Sequence, residues 1–376
     1  MAGLYIHIPF CRRKCHYCNF YSLASVKLFS PVLQAIQQEI QQRHKEIQEP
    51  LESIYFGGGT PSMLNEAQLA EIIDTIYSNY PVNRDAEITF EANPEDLSAQ
   101  RLSILKKHHI NRLSIGIQSF HDNELKYLNR IHSAEKAVTA IEEAQYQGFS
   151  NISIDLMYGL PNATFRSWEE NLEKAFAFGI PHLSCYALTV EPGTALARFI
   201  EKGQVKNVND ELFEEQFEVL LDKTVELGYQ HYEISNFCLD NKYAFHNTNY
   251  WFGGKYLGVG PSAHSYDGQN RKWNIAHLKK YIDSVSNGQV LSEQENLSPV
   301  QQYNEYVMTR LRTHWGLHTT ELIHFFGRDK TNHLIRSANR YIKSGHLEKD
   351  ESVVRLTRKG KFISDHIIAD LFLSGD

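Results

Sequence analysis

LYIHIPFCRRKCHYC, residues 4–18, decides how this chain folds and what it holds. Its first five residues, rich in β-branched and aromatic side chains, predict a strand over 4–8. Directly after them Cys11, Cys15 and Cys18 gather three of the five cysteines into eight residues, while Cys185 and Cys238 stand alone. A disulfide framework calls for even pairs in a small secreted chain; this one has 376 residues, so metal ligation is the better reading. CxxxCxxC offers soft thiolates from one short loop. It suits a four-iron cluster in which one iron keeps no protein ligand, and it also suits zinc. Closed zinc sites usually add a second, distant ligand pair, and neither Cys185 nor Cys238 has a neighbouring cysteine.

Outward from this loop, short β-branched or aromatic runs recur: SIYF at 53–56, EITFEA at 87–92, RLSIGI at 112–117, ISIDLM at 152–157 and LSCYAL at 183–188. Between them lie helical patterns over 31–49, 65–78, 97–107, 134–148 and 164–178. The first of these places Leu33, Ile36, Ile40 and Ile47 on one stripe. Strands alternating with helices predict an α/β fold with a parallel sheet and right-handed crossovers. The unusual residues favour a partial (βα)6 barrel, because the cysteine loop, Gly57-Gly58-Gly59-Thr60-Pro61, Glu91, Gln118 and Asp155 each follow or end a successive strand. In such barrels the carboxyl ends of the strands line the active site, so all of these would gather at one mouth.

Beyond about residue 190 the alternation weakens. A helix is expected over 210–227, and HNTNYWFGGKYLGVGPSAHS at 246–265 reads as ordered loop and short strands. From about 298 come helices and then GHLEKDESVVRLTRKGKFI at 345–363, where two strand-like pieces flank an acidic turn in a winged-helix-like, mostly helical pattern. The expected division is 1–190, 191–297 and 298–376. No apolar run approaches the roughly 20 residues of a membrane span, and the N-terminus has neither a basic flank nor a small-residue cleavage site, so a cytoplasmic protein is expected. Peripheral membrane contact stays open. The net charge of -7 gives no general pull on nucleic acid. Residues 301–376 hold 12 Lys plus Arg against 9 Asp plus Glu, too thin a surplus for a DNA-binding face, and no nucleic acid is expected.

YIHIPFCRRKCHYC followed by GGGTP resembles the radical S-adenosylmethionine superfamily, more narrowly the branch holding oxygen-independent coproporphyrinogen III oxidases and heme chaperones. The likeness continues through EANP at 91–94, SIGIQSF at 114–120, LNRIH at 128–132, IDLMYGLP at 154–161 and HNTNYW at 246–251. It implies a 4Fe–4S cluster on Cys11, Cys15 and Cys18, with S-adenosylmethionine on the open iron. It further implies contacts to that molecule from Gly58, Gly59 and Thr60 at the methionyl amino group, from Tyr17 beside the adenine, and from Tyr5, Glu91, Gln118, Arg130 and Asp155. An arginine fork at Arg130 matches a carboxylate. Glu91, a carboxylate ending an apolar strand, suits an ammonium or ribose partner on its own chemistry.

HNTNYW offers an imidazole at His246 and flat apolar rings at Tyr250 and Trp251, which the resemblance associates with heme. The oxidases of this branch carry a fourth cysteine two residues after the third; here that position is Phe20. The expected role is therefore a heme chaperone that delivers heme to an acceptor protein, with a respiratory-chain protein one candidate. The alternative is radical decarboxylation of coproporphyrinogen III.

Overall fold

The computed structural model describes residues 2–375. Six parallel strands, neighbours in chain order, form its centre: β1 (Ala2–Ile8), β2 (Leu51–Gly58), β3 (Val82–Ala92), β4 (Arg112–Gln118), β5 (Ile152–Tyr158) and β6 (His182–Ala187). Helices α1 (Phe29–Gln42), α2 (Glu66–Asn79), α3 (Ala99–Lys107), α4 (Asp122–Tyr127), α5 (Ala134–Tyr146) and α6 (Phe165–Ala177) fill the crossovers. Four of them begin where the chain supplies a side-chain cap: Asn65 and Thr164 close capping boxes, and Ser98 and Ser133 each accept a hydrogen bond from the amide three residues on. The first helix is shorter than the 31–49 stripe suggests. It ends at Gln42, and Ile47 reaches the core from the loop that follows.

Alternation along each strand sorts the side chains into two faces. Leu4, Ile6, Ile54, Phe56, Ile88, Phe90, Leu113, Ile115, Ile154 and Leu183 pack outward in one core with the helices, through Leu33, Ile36, Leu69, Ile73, Ala140, Trp168 and Leu172 among others. Burying apolar side chains stabilises by roughly 1.5–3 kcal/mol each, so this face holds the helices on the sheet. The alternate positions carry polar groups: Tyr5 and His7, Ser53 and Tyr55, Glu87 and Glu91, Arg112 and Ser114, Ser153 and Asp155, His182 and Ser184. They hydrogen-bond to one another across the inner face.

The sheet stays open and grows at both edges. After α7 (Ala195–Glu201) and α8 (Asp210–Glu226), strands β7 (Gln230–Glu233) and β8 (Asn236–Cys238) add antiparallel beyond β6. After α9 (Phe245–Trp251), β9 (Lys255–Val259) runs parallel to β1. The antiparallel β10 (His264–Tyr266) and β11 (Asn270–Asn274) then add at that edge; α10 (Leu278–Ser286) comes next, and β12 (Ser292–Asn296) is the outermost strand. HNTNYW is thus helical where loop and short strands were expected. A tertiary contact decides this: the Glu87 carboxylate on β3 accepts the backbone N–H groups of Phe245 and His246, at 3.1 Å each, and so satisfies the first turn of α9.

The C-terminal part comprises α11 (Pro299–Leu311), β13 (Leu317–His318), α12 (Thr319–Lys343), β14 (Leu347–Asp350), β15 (Val353–Leu356), α13 (Arg358–Lys361) and α14 (Ser364–Asp370). β14 and β15 form the expected hairpin around an acidic turn, and α12 breaks at Gly327, φ 84°. Tyr303, Val307, Leu334, Ala338, Val354 and Ile367 make a separate core. This part docks on α8, with Phe362 edge-on to Phe217 at 5.0 Å and Arg358 paired with Glu218 and Asp222.

Candidate functional site

β1 runs straight into the cysteine loop, which is held at its ends and its middle. Cys11 N–H donates to Leu23 O at 3.0 Å, Leu23 N–H to Pro9 O at 3.0 Å, and Asn129 Nδ2 to Lys14 O at 2.8 Å. The glycines after β2 make room for it. A Cβ on Gly59 would stand 2.5 Å from Phe10 O and 2.7 Å from Ile8 O, and Gly58 adopts φ 103° against the His7 ring. The close approach therefore serves the backbone that launches the cysteines, rather than only a ligand.

Cys11, Cys15 and Cys18 are free and half-buried, and all three line one cleft of about 440 Å3 at the carboxyl ends of the strands. Among the described residues no three His, Cys, Asp or Glu side chains converge on a point where a single ion would sit. Three free thiols facing one cavity fit the protein ligands of an iron–sulfur cluster.

The same cleft is lined by Tyr17, Gly58, Gly59, Thr60, Glu91, Gln118, Arg130 and Asp155, so the fold brings these eight positions read from the sequence together with the three cysteines. Gln118 ends β4 with φ 66°, a left-handed conformation unusual for a residue with a side chain and typical of positions held in place for a function. Arg130 donates through Nη2 to Asn93 Oδ1 and to Gly116 O, both at 2.6 Å, which leaves Nη1 3.6 Å from Cys15 Sγ. Tyr55 Oη donates to Glu91 Oε1 at 2.8 Å, and Ser114 Oγ lies 3.4 Å from Asp155 Oδ1. Burial, and then the nearby Asp155, push the Glu91 carboxyl up to about 7 despite the Tyr55 bond. Burial likewise pushes Asp155 up to about 6, opposed by Arg112. A cationic ligand entering here would meet two carboxylates poised to ionise against it. The apolar Met157 and Leu188 also line the cleft.

Tyr55, Asn93 and Ser114 complete this arrangement and were not singled out in the sequence. Their signal was present: each occupies a polar alternate position of a strand, or follows one directly, in SIYF, EITFEAN and RLSIGI.

Four of the sequence-based candidates lie elsewhere. Tyr5 sits on the inner face but off the cleft lining, with Oη 3.2 Å from His7 Nδ1 and its ring 5.9 Å from Tyr55. His246, Tyr250 and Trp251 belong to α9, at the amino ends of the strands, against Gly3, Ser53 and Glu87. His246 is buried, and both ring nitrogens are engaged: Nδ1 with Ser53 Oγ at 2.7 Å and Nε2 with Tyr250 Oη at 2.6 Å. Burial, and then Arg112, lower its pKa to about 3, so the ring is neutral. A metal would reach either nitrogen only by breaking a hydrogen bond. Trp251 is half-buried with the Arg312 guanidinium 5.8 Å from its ring centre.

Residues 5–194 match the radical SAM superfamily, and residues 297–363 match the HemN C-terminal domain. The chain is 35% identical over 372 residues to the heme chaperone HemW of Bacillus subtilis, covering 98% of each chain. It is 31% identical to the heme chaperone HemW of Mycobacterium tuberculosis, covering 98% of this chain and 94% of that one. In fold it matches the coproporphyrinogen III oxidase HemN of Escherichia coli, with a TM-score of 0.86 at 24% identity over 99% of this chain and 90% of that one. The radical SAM scaffold implies a 4Fe–4S cluster and S-adenosylmethionine, and the three cleft thiols with the charged and amide groups around them fit both. By sequence over nearly its whole length, the chain belongs to the radical SAM superfamily and, within it, to the family of the proteins named heme chaperone HemW.

Proposed function

We propose that this protein binds heme and passes it to an acceptor protein, using the radical SAM scaffold as a carrier. The observation that supports it most is the near-complete alignment, at 31–35% identity, with relatives named as heme chaperones. The oxidase shares the fold at 24% identity. Phe20 agrees with the chaperone reading: it stands 65% exposed at the cleft edge, at the position where the oxidases of this branch carry a cysteine.

In this reading Cys11, Cys15 and Cys18 hold the 4Fe–4S cluster, which supplies an electron when reduced. Gly58, Gly59, Thr60, Tyr17, Glu91, Gln118, Arg130 and Asp155 hold S-adenosylmethionine at the same mouth. Glu91 and Asp155 give its ammonium and ribose their acceptors, and Arg130 stays charged beside Cys15. The polar inner face keeps the ligand oriented, while α9 closes the other end. The acceptor is a protein, and a respiratory-chain protein suits a heme carrier. No helix among the described residues is long and apolar enough to cross a membrane, so any membrane contact would be peripheral.

The test is an anaerobic heme titration of cluster-loaded protein, followed by the Soret band, and then incubation with coproporphyrinogen III, S-adenosylmethionine and a reductant. Stable heme binding with no decarboxylated product is expected. Multiple turnovers of the porphyrinogen would sink the chaperone reading.

A further inference from the structure

Arg112 is 1% exposed and does not line the cleft, and of the buried arginines it alone belongs to a strand. The register sets Arg112 beside Thr89 and Ser114 beside Glu91, so on the inner face of β4 it stands one position below the mouth. Its ion pair with Glu87 is loose, with Nε 3.7 Å from Oε2, and that carboxylate already accepts the first N–H groups of α9. The Arg112 Nε–H has no hydrogen-bond partner among the described residues. A buried guanidinium normally meets a carboxylate through its planar fork, because leaving water uncompensated is costly. No close contact offsets that cost here, so what Arg112 contributes is charge acting across the low-dielectric interior.

The groups around it show where that charge is felt. Glu91 and Asp155 hold neutral donors, Tyr55 Oη and Ser114 Oγ. Burial drives both carboxyls toward the neutral form; at Asp155 Arg112 is the largest opposing influence, ahead of Arg130, and it opposes burial at Glu91 too. Arg130 is already committed to Asn93, Gly116 and Cys15. Tyr5 and Tyr250 face Glu91, and Cys185 and Tyr186 face Asp155; burial keeps all four neutral. From the floor side His182 and His246 face Arg112, neutral through burial and then through its charge, and Tyr232 is neutral as well. S-adenosylmethionine brings an ammonium and a sulfonium, so protonated carboxyls would have to shed protons before meeting it. We propose that Arg112 is a positioning residue for that ligand: it touches no ligand atom, and from beneath the mouth it keeps Asp155 and Glu91 ionised for the incoming cation.

This rests on the reading of the cleft as the S-adenosylmethionine site, and the experiment separates their failures. Cluster-loaded wild type, Arg112→Gln and Arg112→Lys are titrated anaerobically with S-adenosylmethionine by calorimetry between about pH 6 and about pH 9. Two buffers of different ionisation enthalpy are used, so that affinity and proton release are both read. Wild-type affinity is expected to fall as pH drops through about 7, where Glu91 takes up its proton. Without the guanidinium the carboxyls keep their protons to higher pH. In Arg112→Gln the fall is therefore expected to begin about one pH unit higher, with about tenfold weaker binding near neutral pH and more protons released on binding. Lysine keeps the charge and lacks the fork, so Arg112→Lys is expected to follow the wild-type profile. A wild-type profile in Arg112→Gln overturns the proposal. So does affinity lowered equally at every pH with no extra proton release, which would mark a structural role. Should Arg112→Gln fail to fold, Arg112→Lys decides: an unshifted profile supports the charge, and a shifted one, or loss of the fold in both variants, overturns it. No binding to cluster-loaded wild type at any pH overturns the ligand reading of the cleft instead.

Discussion

The two ends of the six parallel strands carry the same kinds of polar residue and have opposite fates. At the carboxyl ends, thiols, carboxylates, an amide and a guanidinium face a cleft, the thiols free and the carboxyls pushed toward neutrality. At the amino ends, Ser53 and Glu87 are packed against α9 and joined to it, and its own His246 and Tyr250 to each other, by hydrogen bonds of 2.6–3.1 Å. Polar residues near a strand terminus are therefore not in themselves evidence of a site. What distinguishes the two ends is whether neighbouring protein groups use up the available donors and acceptors.

That contrast is sharpest at the cysteines. Replacing Cys11, Cys15 and Cys18 together by alanine is expected to abolish bound iron and sulfide while the circular dichroism spectrum and melting transition stay close to wild type, because the thiols contribute nothing to the apolar core. Collapse of the fold in that variant would make the cluster end as structural as the floor. Gly59→Ala comes next. Its Cβ would meet Phe10 O and Ile8 O, both backbone atoms, so a loss of about 3 kcal/mol of stability is expected from overpacking, with weakened S-adenosylmethionine binding by calorimetry. A variant as stable as wild type would show that the loop can retreat.

Glu91 gives the cleft a pH signature that the floor lacks. Its carboxyl sits at about 7 in the fold, above the ordinary value, so its contribution to stability is complete below about 4.5 and is lost as pH rises to about 7. Glu91→Gln is expected to melt like wild type near pH 4.5 and to be more stable near pH 8 by about 2 kcal/mol, allowing for partial exposure of the carboxyl. Parallel melting curves across that range would remove the poised-carboxylate account. The smallest expected effect is at the floor. Ser53→Ala leaves His246 Nδ1 buried without its partner and should cost about 1 kcal/mol in chemical denaturation, with cluster content and S-adenosylmethionine binding unchanged. A matching loss of ligand binding would couple the two ends.

Much of the cleft was legible in the sequence because its residues follow strands directly. Cys11 to Cys18 follow β1, and Gly58, Glu91 and Gln118 stand at or next to strand ends, which a parallel sheet collects without further information; Asp155, expected to end its strand, lies in the middle of β5 and reaches the cleft from the inner face. Tyr55 and Ser114 were harder to see because they look like ordinary strand residues, and only the register that sets Tyr55 Oη against Glu91 and Ser114 beside Asp155 distinguishes them. Arg130 was legible as a cation, but its hold on Asn93 and Gly116 was not.

HNTNYW marks the boundary between the two kinds of information. Its histidine and aromatics are compatible with a porphyrin face, and its composition predicts no helix. Both properties were settled by Glu87, a carboxylate nearly 160 residues earlier in the chain, which caps α9 and draws it into the floor. The order of strands, the alternation that divides core from polar interior and the spacing of the thiols are local properties of the chain, determined by steric periodicity and ligand chemistry. Which polar groups remain free is decided only by tertiary structure. A hydrogen bond between residues far apart in sequence leaves no trace in either segment until both are in place.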